Sequence, residues 1–115
     1  MNTPKGDCYK AAYETVTELA QIRDAGLHAE KGWPLTELVL IHGTAIPPVG
    51  PFAGKEIRHA WAKVDGKIFE MSNGNKNTYS EDLWSRDFCG KEVVRYTPEE
   101  AKLQAEQSGH YGPWK

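Results

Sequence analysis

Cys8, in Gly6-Asp7-Cys8-Tyr9, and His59, in Arg58-His59-Ala60-Trp61, are the residues whose types and settings could do chemistry together. Asp7 is a good helix N-cap, which puts Cys8 one residue inside a helix start. Unpaired backbone N–H groups and the helix macrodipole place partial positive charge there, a setting that favours a thiolate. His59 opens a predicted strand and could take the thiol proton and later return it. A thiol paired with such a base is a nucleophile suited to acyl transfer.

The elements that must position this pair are legible as patterns. Residues from about 8 to 25 follow helical spacing, with Cys8, Ala12, Val16, Leu19 and Ala20 on one stripe, Ala11 and Tyr13 beside it, and Gly26 as the stop. After a polar linker, Leu38-Val39-Leu40-Ile41 reads as a buried strand. Three prolines and three glycines between Gly43 and Gly54 then predict a loop long enough to line or cover a site. Ile57 to Val64 and Lys67 to Met71 read as two strands joined by a tight turn at Asp65-Gly66. Ser72 to Asn77 is a turn-rich loop, Ser80 to Trp84 begins a short helix, and Glu92 to Tyr96 is a further strand. Thr97-Pro98-Glu99-Glu100 is a capping box opening a helix to about Gln107, which Gly109 ends. The expected fold class is α+β, one domain over residues 1–115: an N-terminal helix on a mainly antiparallel sheet of about four strands, with a C-terminal helix.

Composition narrows the function classes. The 115 residues carry a net charge of −2, which offers no broad basic surface for nucleic acid or anionic membranes. No apolar run reaches bilayer-spanning length, and no apolar leader opens the chain, so it reads as cytoplasmic. Two cysteines, Cys8 and Cys89, are too few for a disulfide framework. With four histidines they form no compact zinc pattern, so neither metal nor cofactor is expected.

The segments around Asp7-Cys8-Tyr9, His59-Ala60-Trp61 and Ile68-Phe69-Glu70-Met71-Ser72 together resemble the papain-like and transglutaminase-like cysteine enzymes. In that superfamily a nucleophilic cysteine begins a helix packed on an antiparallel sheet, a following strand supplies histidine, and the next supplies an acidic or amide residue. His-Ala-Trp before a hairpin is especially like transglutaminase-like domains, whose third residue is usually Asp; the comparable place here holds Glu70. The resemblance covers roughly residues 6 to 73. It implies Cys8 as nucleophile, His59 as base then acid, and Glu70 as the group that fixes the imidazole tautomer. Asn2, six residues before Cys8, sits at a spacing similar to that of the papain-like oxyanion glutamine. The Cys8 backbone N–H is the other oxyanion candidate.

Hairpin register supports the third residue independently. With Asp65 and Gly66 as the turn, strand partners have numbers summing to 131, so Glu70 lies across from Trp61 and diagonal to His59. His59, Trp61 and Lys63 then share a face with Glu70 and Ser72. Asn73 points to the other face and is the alternative orienter. Tyr9 is expected to shape the mouth of a cleft, and Trp61 to pack in the core or wall the site. His42 is read as a strand-end histidine bonded to backbone, Cys89 as structural, and the aromatic tail His110 to Trp114 as packing across the sheet.

Each residue alone has a duller reading: a buried thiol, a strand histidine, a core tryptophan, a solvated glutamate. Their conjunction in chain order leads to a small cysteine-dependent hydrolase or acyltransferase acting on an amide, isopeptide or thioester of a peptide, protein or small-molecule substrate. A second class is a non-catalytic protein-binding module with the same fold; a third is a thiol redox protein using Cys8 and Cys89.

Overall fold

The computed structural model describes residues 7–72 and 75–114. Its elements run α1 (Asp7–Asp24), α2 (Leu27–Glu30), β1 (Leu38–Ala45), β2 (Ile57–Val64), β3 (Lys67–Ser72), β4 (Asn75–Ser80), α3 (Glu81–Asp87), β5 (Lys91–Tyr96) and α4 (Pro98–Ser108). The five strands form one antiparallel sheet in the order β4-β3-β2-β1-β5. The α+β architecture with helices at both ends of the chain is therefore as expected, with one strand more.

Local chemistry explains the register. Asp65 and Gly66 both take positive φ (50° and 81°), as a tight hairpin of this twist requires. The pairs Val64–Lys67, Lys63–Ile68 and Ala62–Phe69 follow the expected register. The Asp65 carboxylate also accepts the backbone N–H groups of Leu35, Thr36 and Glu37 at 2.9, 2.9 and 3.1 Å, which ties the entry of β1 to the hairpin. Thr97 caps α4 through a complete capping box, and Gly109 ends that helix in the left-handed conformation. Ser80 caps α3 by accepting from Leu83 N–H.

Several boundaries differ from the sequence reading. Asp7 lies within α1 as described rather than capping it, and Cys8 follows it in the helix. A short α2 occupies part of the linker. β1 continues through His42, Gly43 and Thr44 to Ala45, where the glycine suggested loop. Gly43 instead marks a register shift against β5, and a Cβ there would meet the Lys91 carbonyl and the Trp61 ring. Asn75 to Ser80, read partly as loop, forms edge strand β4 along the whole of β3.

The sheet buries a core on each face. α1 lays Tyr9, Ala12, Val16 and Ala20 on Leu38, Leu40, Ala60, Ala62 and Val64. On the other face Trp61 packs with Ile41, Ala45, Ile68 and Trp84 of α3. Among the described residues no helix is long and apolar enough to cross a membrane.

Candidate active site

His59 stands near the start of β2, beyond the three pairs that join β2 to β3, where it can be approached from both faces of the sheet. Its ring lies 6.1 Å from Trp61 and 6.2 Å from Trp84, centroid to centroid. From the α1 side the half-buried Cys8 comes close enough to the imidazole to favour its protonated form. His59 Nε2–H donates to Glu70 Oε2 at 2.9 Å. With Nε2 given to the carboxylate, Nδ1 is the ring nitrogen left for sulfur. The three residues thus meet in the order thiol, imidazole, carboxylate.

The electrostatics follow from that packing. Burial alone pushes the His59 pKa down, as it does any buried imidazole. Hydrogen bonds to Cys8 and Glu70, with the charges of both, outweigh burial and raise it to about 9. At neutral pH the ring is therefore an imidazolium, with its Nε2–H held by the Glu70 carboxylate. Both His59 and Glu70 are buried, so solvent does little to screen the pair.

A fourth group completes the chain. Asn77 lies directly across from Glu70 in the β3–β4 ladder, and its Nδ2–H donates to Glu70 Oε1 at 3.2 Å. One carboxylate oxygen thus faces Asn77 and the other His59. The sequence alone does not point to this residue, because its Asn-rich segment reads as loop. The signal was nevertheless present: Asn73-Gly74 is a strong hairpin dipeptide, and a two-residue turn there sets Asn77 opposite Glu70.

The remaining candidates divide. Trp61 is 2% exposed, so it backs the imidazole from within the core. Tyr9 is buried on the α1 side rather than placed at a cleft mouth, because its ring packs edge-on against His42. Burial and the neighbouring Cys8 push its hydroxyl pKa up, while the nearby Arg58 guanidinium opposes them. His42 makes no backbone hydrogen bond through its ring, contrary to expectation, since β1 runs past it and buries it among aromatic rings. Asn2 and Asn73 lie outside the described residues. Cys89 is exposed, in left-handed backbone (φ 50°) after α3, and both cysteines are free thiols. The tail packs as expected, with Trp114 against His42 and Tyr96.

Among the described residues no group of three or more His, Cys, Asp or Glu side chains is arranged to hold a metal ion. A surface recess lined by Leu19, Trp33, Leu35, Val64 and Phe69 lies at the other end of β2 and touches neither Cys8 nor His59. Cys8 stands near the start of α1 as described, where the positive end of the helix dipole lies beside the thiol. No family model matches the chain, and no curated protein and no solved structure matches it either.

Proposed function

We propose that this protein is a small cysteine-dependent hydrolase or acyltransferase of papain-like or transglutaminase-like type, acting on an amide, isopeptide or thioester carbonyl. The observation that carries the reading is the convergence of Cys8, His59 and Glu70 on one imidazole from three separate elements. A buried histidine kept only for packing needs neither a thiol at one nitrogen nor a carboxylate at the other.

The proton shared by the pair rests on His59, and the Cys8 sulfur attacks the substrate carbonyl carbon as the thiolate partner of that imidazolium. Charge develops on the carbonyl oxygen, where the Cys8 backbone N–H at the start of α1 is the donor available to meet it. The imidazolium, held by Glu70, then returns the proton to the leaving nitrogen or sulfur as the carbonyl re-forms. That leaves an acyl group on Cys8. Water or an amine resolves the thioester, with His59 taking the incoming proton and passing it to the departing Cys8 sulfur. Asn77 serves this sequence by holding the carboxylate plane toward Nε2.

The test is trapping of the acyl-enzyme. A panel of p-nitrophenyl esters should give a burst of nitrophenolate matching the enzyme concentration, with the acyl mass located on Cys8 by peptide mass spectrometry. Absence of a burst, or an equal burst from Cys8→Ala, would overturn the reading in favour of a binding module with this fold.

A further inference from the structure

Beside the Cys8–His59 pair the fold buries a histidine whose ring has no hydrogen-bond partner among the described residues. His42 is 4% exposed, and among the described residues neither ring nitrogen has a partner. It sits in a box of rings: Tyr9 edge-on at 4.8 Å, Tyr96 edge-on at 5.2 Å, and Trp114 tilted at 5.1 Å. The Tyr96 hydroxyl is also buried without a partner among the described residues. Buried polar atoms in folded proteins are almost always paired, so three orphans in one recess call for an occupant that can pair them. A neutral imidazole offers one donor and one acceptor, and so asks for both in return.

The present occupant meets the rings but not the polar atoms. Trp114 donates its indole N–H to the His110 carbonyl at 3.0 Å, away from His42. The rest of the tail is equally self-contained. Gly112 N–H donates to His110 Nδ1, and His110 N–H to Ser108 Oγ. Among the described residues no hydrogen bond ties residues 110–114 to the sheet or to α1. Contacts to rings seat this strap: Tyr111 on Tyr13 and under the Lys10 ammonium, and Trp114 on His42 and Tyr96. Gly112 lies so close to the rings of His42 and Tyr9 that a side chain there would strike both. The box also adjoins the candidate site. Tyr9 follows Cys8, Gly43 after His42 pairs with His59, and Cys8 and Trp114 pack on the same core cluster.

We propose that the Tyr9–His42–Tyr96 box is a substrate subsite for a planar ring bearing both a hydrogen-bond donor and an acceptor, such as an aryl amide, and that Trp114 occupies it in cis. The role as a substrate subsite rests on the cysteine-enzyme reading; the binding of the ring does not.

The test uses the 115-residue chain, with benzamide as probe and toluene as its counterpart lacking a polar edge. Binding is read from the His42 ring signals by NMR, and the effect on Cys8 from its rate of alkylation by iodoacetamide. A strap seated ten times more often than lifted weakens apparent binding in proportion, so Trp114→Ala should bind benzamide about tenfold tighter than wild type. Benzamide should bind that variant better than toluene does, lose this preference in Trp114→Ala/His42→Phe, and slow Cys8 alkylation at saturation. Tyr111→Ala loosens the strap at Tyr13 without touching the box, and guards against a Trp114→Ala chain that does not fold. It should shift benzamide affinity in the same direction. Equal affinity in wild type and variants, or no preference over toluene, would overturn the proposal. Full binding at His42 with unchanged Cys8 alkylation would overturn the subsite role. A Cys8 that reacts no faster than Cys89, with benzamide still bound at His42, would instead overturn the cysteine-enzyme reading and leave the ring site standing.

Discussion

Replacing Glu70 with glutamine removes a charge from the His59 ring while keeping a carbonyl that can accept Nε2–H. The wild-type contact is 2.9 Å between two buried side chains. The imidazole pKa stands at about 9 against an ordinary 6.5, a rise of about 3 kcal/mol at 1.36 kcal/mol per unit. A single opposite charge at this range accounts for about 1–3 units. In Glu70→Gln the His59 pKa should therefore fall to about 6–8. The folded-state pKa is raised above the unfolded value, so the stabilisation is fully present below pH 6.5 and is lost as pH rises through 9. The variant should consequently be destabilised by about 2 kcal/mol more at pH 6 than at pH 10, where His59 is neutral in both proteins. Urea unfolding of wild type and variant at the two pH values measures that difference, and NMR titration of the His59 ring measures the pKa directly. An equal loss of stability at both pH values, or a wild-type His59 titrating at or below 6.5, would refute the reasoning.

Other changes probe the supports of the site. Gly43→Ala drives a methyl into the Trp61 ring and the Lys91 carbonyl opposite His59; urea melts should show a loss of about 2–3 kcal/mol. Asp65→Ala strands the N–H groups of Leu35, Thr36 and Glu37 and should cost about 2–3 kcal/mol by the same measurement. Asn77→Ala removes the Nδ2–H donor from Glu70 Oε1 and should lower kcat by about tenfold with KM little changed, well short of the loss in Glu70→Ala. A shifted pH–rate profile in Asn77→Ala separates this positioning role from general destabilisation.

What could be read from the chain was what local physics decides. The Asp65-Gly66 turn allows both positive φ values, so it set the β2–β3 register and with it Glu70 beside His59. The capping box at Thr97 and the glycine stop at Gly109 were likewise local. Features decided by distant partners were not legible. β4 is a polar edge strand whose Asn-Lys-Asn-Thr-Tyr-Ser pattern carries little strand preference, and pairing along β3 makes it a strand. Gly43 looked like the start of a loop because nothing nearby reveals that the Trp61 ring needs its missing side chain. The burial of His42 and Tyr9 depends on a tail more than sixty residues away in sequence from His42. Asn77 was hidden with β4.

The central claim is that His59 activates Cys8, and Cys89 supplies an exposed reference thiol in the same molecule. The most direct measurement is the rate of iodoacetamide alkylation at each cysteine at pH 6, resolved by peptide mass spectrometry, in wild type and His59→Ala. Cys8, although half-buried, should react at least about tenfold faster than Cys89 in wild type, since thiolate content governs the rate, and should lose that advantage in His59→Ala. A Cys8 slower than Cys89, or one whose rate is unchanged when His59 is removed, would contradict the account.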